Sequence, residues 1–239
     1  MRILGVVAKA KDPLNVMLMH FDTDFSDSSI YNRAFTASAG APTIDSGQSV
    51  FGGVSASFSG ADELTTPNNA NYDITSGSFT IDFWLKPNLG TLAFNALQGI
   101  FAKGQTLFFG SDYSYYGYIG RNAAGTGGYF RFHFFIYVLG QAATNLQANL
   151  DFAIWNHIAI VRNGSLFTLY INGVSSATFN AAQALQTSAQ PFYLAHRVIS
   201  TTDFTTVATK YSGWLDEFRM RKDAAWAANF TPPTTPHRA

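Results

Sequence analysis

Two Asn-Gly pairs, nine residues apart, punctuate a run of apolar and β-branched residues, and this punctuation constrains the fold more than any other feature of the chain. The segment Ile154-Trp155-Asn156-His157-Ile158-Ala159-Ile160-Val161-Arg162 leads into Asn163-Gly164. The segment Leu166-Phe167-Thr168-Leu169-Tyr170-Ile171 then leads into Asn172-Gly173. Both residue types tolerate positive φ, which tight hairpin turns require. Upstream, Phe79 to Pro87 alternates with period two. Phe79, Ile81, Phe83 and Leu85 share one face, and Thr80, Asp82, Trp84 and Lys86 share the other. A helical period is confined to Asp223-Ala224-Ala225-Trp226-Ala227-Ala228, long enough for one or two turns.

Composition narrows the class. Hydrophobic residues make up 47% of the 239 and charged residues 13%, which leaves ample core material and a thinly charged surface. A single large all-β domain accommodates this length. Zero net charge argues against a nucleic-acid partner, because phosphate neutralisation needs a basic surplus. The absence of cysteine excludes a disulfide scaffold and thiolate metal sites. The opening Met1-Arg2-Ile3-Leu4-Gly5-Val6-Val7-Ala8-Lys9 is too short, and too soon broken by Lys9, Lys11, Asp12 and Pro13, for a good signal peptide. No stretch approaches the ~20 apolar residues of a membrane span. A chain kept in the cytoplasm, or assembled there into something larger, is expected, and Asn163-Gly164-Ser165 and Asn229-Phe230-Thr231 then carry no meaning as glycosylation sequons.

Several motifs, taken in order, resemble the laminin-G-like, concanavalin A-like lectin/glucanase jelly roll. They are Val16-Met17-Leu18-Met19-His20-Phe21-Asp22, Phe51-Gly52-Gly53-Val54-Ser55-Ala56-Ser57-Phe58 and Phe79 to Pro87. The Trp155-to-Arg162 strand, Leu169-Tyr170-Ile171-Asn172-Gly173 and Gly213-Trp214-Leu215-Asp216-Glu217-Phe218-Arg219 complete the series. The resemblance spans about residues 16 to 234 and implies an all-β, two-sheet antiparallel β-sandwich jelly roll in one domain. Residues 16–239 would form that domain, with Thr231-Pro232-Pro233-Thr234-Thr235-Pro236-His237 running extended over its surface, and residues 1–15 would be an arm.

Enzymes of this superfamily carry acids two or four positions apart on one strand. Here the only glutamates are Glu63 and Glu217. Asp62-Glu63 and Asp216-Glu217 are adjacent pairs, whose side chains point to opposite faces of a strand and cannot flank one bond. A non-enzymatic protein is expected.

Between Phe101 and Tyr137 lie thirteen aromatic residues. In Tyr129 to Val138, the residues Phe130, Phe132, Phe134, Ile136 and Val138 point to the core. Tyr129, Arg131, His133, Phe135 and Tyr137 point the other way. With Tyr113, Tyr115 and Tyr116 from the preceding Tyr/Ser/Gly-rich segment, they supply flat rings and hydrogen-bonding groups suited to a glycan. The same composition serves cross-strand packing within a sheet or a contact between subunits.

No cofactor is expected. Asp22, Asp24 and Asp27 crowd one loop and offer calcium its preferred oxygens, although loop aspartates also cap their own turns. His20 and His157 fall at packed strand positions, while His133 and His196 have possible ligand access. Asp216 shares a face with Trp214, Phe218 and Met220 and, if buried, needs Arg, backbone amides or a cation. Glu217, Arg219 and Arg221 would form a surface charge row of little energetic weight. The arm carries Ile3, Leu4, Val6 and Val7, which gain from pairing with a sheet edge or docking on another chain.

The resemblance extends to single-domain, cysteine-free proteins of tailed phages. It implies a virion component, capsid decoration or tail and fibre appendage, contacting other virion proteins or copies of itself. The alternative is a carbohydrate-binding adhesin, using Tyr113 to Tyr137 as its platform.

Overall fold

The computed structural model describes residues 10–88, 90, 96–107, 110–121, 130–139, 144–151, 154–181, 183–196 and 207–239; side chains are described for all of these except 105–107, 110–113, 207 and 208. In chain order the strands are β1 (Asn15–Met19), β2 (Thr36–Ala39), β3 (Thr43–Asp45), β4 (Ser55–Ser59), β5 (Glu63–Thr66), β6 (Phe79–Pro87), β7 (Ala96–Leu107) and β8 (Gly110–Arg121). They continue with β9 (Phe130–Ile136), β10 (Thr144–Leu150), β11 (Asn156–Asn163), β12 (Leu166–Ile171), β13 (Val174–Asn180), β14 (Phe192–Leu194), β15 (Val207–Lys210) and β16 (Ser212–Arg221). One 3-10 turn, Ala70–Tyr72, is capped by the Asn69 side chain.

These strands form two sheets. The first runs β13-β12-β11-β6-β16-β4-β3, with β1 added along β16 beyond β4. The second runs β10-β9-β8-β7-β14-β5-β2, with β15 pairing parallel to β7. All other pairings among the described strands are antiparallel, giving the two-sheet sandwich that the resemblance to jelly rolls implies. Both expected hairpins form. Asn172 (φ 50°) and Gly173 (φ 78°) occupy the two loop positions between β12 and β13, and Gly164 (φ 62°) opens the loop between β11 and β12. No helix is long and apolar enough to cross a membrane among the described residues.

The inward faces meet in one core. Phe79, Ile81, Phe83 and Leu85 from β6 oppose Phe130, Phe132, Phe134 and Ile136 from β9, all buried as the alternation requires. Phe83 lies at its centre, stacked on Phe218 at 5.3 Å and edge-on to Phe101 at 5.8 Å and Phe132 at 5.9 Å. Gly117 gives the Phe101 ring room, since a Cβ there would lie 2.5 Å from it.

Three expectations are corrected. First, β16 does not alternate without interruption. Its register against β6 shifts between Asp216 and Arg219, and Glu217 adopts φ 53°. The extra residue reverses the phase, so Leu215, Phe218 and Met220 face the core while Trp214, Asp216 and Arg219 do not. Second, Glu217 and Arg219 are buried, at 1% and 7% exposure, instead of forming a surface charge row. Third, residues 223–228 form a series of bends interrupted by unassigned residues and make no helical turn. The segment 222–239 crosses the outer face of the first sheet without regular structure. There Trp226 stacks on Phe230 at 3.9 Å, and both rings stand edge-on to His157. Near its close, Ala239 O accepts from Asp12 N and Arg238 O accepts from Asn15 Nδ2. The arm residues Ile3, Leu4, Val6 and Val7 lie outside the described residues.

Candidate functional site

The outer face of the first sheet is covered by the chain's own tail, and that of the second carries the candidate site. Strand register brings side chains from β8, β9 and β10 into rows. Tyr193, Ala102, Tyr116, Phe135 and Asn145 form one row across β14, β7, β8, β9 and β10. Tyr118, His133 and Gln147 form the next, and Gly120, Arg131 and Asn149 the one after. The rings stack across strands: Tyr116 on Phe135 at 5.1 Å and 4°, Tyr118 on His133 at 4.5 Å and 5°. Tyr116 and Tyr118 are themselves 6.0 Å apart, and Tyr137 lies 6.3 Å from Tyr116. At Gly120 a Cβ would lie 3.1 Å from Leu97 Cδ2, tighter than most contacts, and in ordinary contact with His133 Nε2 at 3.5 Å.

This stacking realises cross-strand packing, and it buries the β8 tyrosines to 3% and 6% exposure. Arg131, His133 and Phe135 of β9, and Tyr137 just beyond it, remain half-buried. Beside them β10, the edge strand, presents Asn145, Gln147 and Asn149, all exposed. Polar contacts order this border. Arg131 Nε donates to Asn149 Oδ1 at 3.1 Å, and Asn145 Nδ2 donates to His133 Nδ1 at 3.1 Å. Burial holds the His133 pKa down at about 4, so the ring is neutral at ordinary pH and accepts that bond. Where β10 approaches β13 of the other sheet, Arg131, Gln147, Ala148, Asn149 and Ser176 line a cleft of about 410 Å³. Aromatic surface, amides and a guanidinium along one strand edge can cover a flat apolar face while exchanging hydrogen bonds with hydroxyls.

Of the residues expected at this site, Tyr116, Arg131, His133, Phe135 and Tyr137 are brought together. Tyr115 is not. It points between the sheets, fully buried, with its hydroxyl donating to Tyr72 O at 2.8 Å. Neighbouring residues on a strand face opposite ways, so Tyr115 and Tyr116 cannot serve one surface. Tyr129 and the side chain of Tyr113 lie outside the described residues. The amides of β10 were not anticipated, although Asn145-Leu146-Gln147-Ala148-Asn149-Leu150 alternates polar with apolar and carried the signal.

The aspartates of the first loop have separate roles. Asp24 Oδ1 accepts from Ser26 N and Oγ, and Asp27, wholly buried, accepts from the Leu18, Ser29 and Arg33 amides and Ser29 Oγ. Asp22 lies over Gly52, where a Cβ would meet its carboxylate. Asp24 and Asp27 thus cap their own turns. His196, expected to be accessible, is 7% exposed; it bonds Glu63 at 2.8 Å and stacks on Tyr193 at 4.3 Å. His20 Nδ1 lies 2.6 Å from Glu217 Oε1, and that bond raises the imidazole pKa. Asp216 takes backbone amides, with Val50 N and Phe51 N donating to its Oδ2.

Among the described residues, one group has side chains close enough to hold a metal: Asp82, His157 and His237, beneath the tail. Arg219 argues against that use. Its Nε and Nη2 lie 2.8 and 3.2 Å from Asp82 Oδ1 and Oδ2, so the carboxylate already faces a cation inside the same enclosure. Burial keeps His157 below its ordinary pKa, while Arg219 and His237 hold Asp82 ionised against its own desolvation. The arrangement is an ion cluster that fastens the tail.

Comparison with known proteins follows the same lines. A family model described as the concanavalin A-like lectin/glucanases superfamily matches residues 58–228. No curated protein matches the chain. Among solved structures, the binding domain of botulinum neurotoxin serotype D/C is similar with a TM-score of 0.64 at 14% identity, over 89% of this chain and 50% of that one. The chain therefore spans half the length of that domain. Domain 4 of AbnA, a GH43 extracellular arabinanase from Geobacillus stearothermophilus, solved with arabinotriose, has a TM-score of 0.58 at 18% identity over 88% of this chain and 93% of that one. The enzymatically active domain of tailspike protein 2 from bacteriophage CBA120 has a TM-score of 0.56 at 16% identity, over 87% of this chain and 31% of that one. At these identities the likeness is one of fold.

Proposed function

The chain belongs to the concanavalin A-like lectin/glucanases superfamily, and from that premise we propose that it is a non-catalytic module that binds carbohydrate through the outer face of its second sheet. One observation carries the reading: a single strip of Arg131, His133, Phe135 and Tyr137 is bordered by the exposed amides of Asn145, Gln147 and Asn149 and ends in an open cleft. Aromatic rings beside fixed hydrogen-bonding groups are the means by which proteins hold sugars, whose rings offer an apolar face and a hydroxyl rim.

A binding role without catalysis agrees with the acids. Among the described residues the cleft lining holds no carboxylate, whereas glycoside hydrolysis needs two flanking the bond. Both glutamates are engaged elsewhere, Glu63 by His196 and Ser38, Glu217 by His20 and the His237 amide. The reading needs no cofactor.

The setting we propose is a phage virion, with the chain as a capsid decoration or tail appendage beside other virion proteins or copies of itself. Family resemblance and the fold shared with the tailspike domain are its grounds. Purified full-length protein applied to a broad glycan array tests the binding role. Retention of at least one oligosaccharide, reduced about tenfold (~1.4 kcal/mol) in Phe135→Ala, is expected. A folded protein that retains none contradicts it.

A further inference from the structure

The edge strand β10 lacks the devices that blunt the other sheet edges. Its seven residues, Thr144 to Leu150, pair with β9 in unbroken register and include neither a charge nor a proline. Asn145, Gln147 and Asn149 are exposed on one face, while Leu146 and Leu150 are buried on the other. Among the described residues, β10 makes its hydrogen bonds with β9 alone. A long, flat, unpaired edge is a template for a further strand.

The other edges, among the described residues, are closed or short. Along β1, Asp27 Oδ1 accepts from Leu18 N, Leu18 O accepts from Ser28 N, and Arg33 Nη1 donates to Val16 O. On β13 the register shifts at Ser176, and the Ser175 amide donates to Asn229 Oδ1 of the tail. Strands β2, β3 and β15 have three or four residues each; β2 contains a register shift and β15 ends in Lys210. Short strands, bulges, lysines and covering loops are the ordinary protections of an edge, and β10 has none of them.

We propose that β10 pairs antiparallel with β10 of a second copy of this chain, joining the two second sheets into one. The strand's own pattern selects that partner. A two-fold axis through Gln147 sets Gln147 against Gln147, Asn145 against Asn149, Leu146 against Ala148 and Thr144 against Leu150. Every residue of the strand is then paired, and each amide side chain meets an amide. A slip by one residue would oppose side chains of opposite faces, so the alternation fixes the register. A charged strand would meet its own charge at such an axis, whereas β10 brings none to it. The inference stands apart from the glycan reading and gives the association of copies a surface. The outer faces of the two sheets stay open, and the cleft beside β13 borders the seam. The strips of the two copies run into one face, so a long ligand meets both.

The test measures the mass of full-length protein by sedimentation equilibrium, for wild type, Gln147→Lys, Gln147→Glu and an equal mixture of the two variants. One strand pair is a small interface, so a dimer with a dissociation constant of about 1 to 100 µM is expected. Each variant alone sets like charges face to face at the axis and should raise that constant at least about tenfold. The mixture should recover association, because lysine then faces glutamate. An unchanged circular-dichroism spectrum shows that the variants are folded. A wild type that stays monomeric at about 1 mM overturns the inference. So does an oligomer whose mass neither variant lowers, or a mixture that associates no better than its components. Each of these results leaves the glycan reading standing.

Discussion

Arg219 and Asp82 face each other across β16 and β6, with the guanidinium gripping both carboxylate oxygens at 2.8 and 3.2 Å under the tail. Removing Arg219 takes away the main counter-charge of a buried carboxylate and leaves only His157 and His237 beside it, at a cost of about 3 to 5 kcal/mol. Arg219→Met should therefore lower the unfolding free energy measured by urea titration by an amount in that range. A loss below about 1 kcal/mol, the size of an exposed pair, would contradict the burial described.

Gly173 joins that tail to the β12–β13 turn. Its φ of 78° suits glycine, and a Cβ there would come within 1.9 Å of Phe230 O. Gly173→Ala should cost at least about 1 to 2 kcal/mol from backbone strain and loosen the tail. Faster proteolysis between residues 222 and 239 and greater solvent exposure of the Trp226 indole are the readouts. Unchanged protection of the segment would contradict the contact.

Asp216 is buried next to Glu217 and Asp22, and desolvation raises its pKa to about 7 despite two backbone amide donors. From about pH 4 to about pH 7 the unfolded carboxyl has released its proton while the folded one keeps it, so this group's contribution to stability falls as pH rises. Asp216→Asn removes that slope and keeps a carbonyl for Val50 N and Phe51 N. The melting-temperature difference between variant and wild type should grow in the variant's favour across this window. A constant difference would show that Asp216 ionises normally.

His133 titrates in the opposite sense. With its folded pKa lowered to about 4, its contribution is complete above the ordinary imidazole value of 6.5 and is lost as pH falls toward 4. Glycan affinity should stay flat between about pH 5 and about pH 8, because the ring does not change charge there. A step near the ordinary value would place a titrating His133 in contact with the ligand.

Most of the architecture was legible because strand period and turn chemistry are local. Phe79 to Leu85 and Phe130 to Ile136 announced their inward faces, Asn172-Gly173 announced its hairpin, and a buried Asp216 announced its need for an Arg, backbone amides or a cation, of which it takes amides. What escaped depends on single-residue shifts and distant contacts. The bulge at Glu217 reversed the faces of Arg219 and Phe218, and period-two reading has no means of placing an extra residue. The tail's cover over Asp82 and His157 joins segments more than seventy residues apart. Tyr115 was grouped with Tyr116 by composition, when alternation alone would have separated them. On the candidate face, the rings of β9 could be read from sequence. The amides beside them required knowing that β10 is its neighbour and the sheet edge.

The most direct test of the central claim compares the two sheet faces in one assay. Saturation-transfer NMR with the glycan retained on the array would be run on wild type, Phe135→Ala and Trp226→Ala. Binding through the second sheet predicts transfer in wild type and in Trp226→Ala, and little in Phe135→Ala. Transfer that survives Phe135→Ala and disappears in Trp226→Ala would place the ligand on the opposite face and contradict the account.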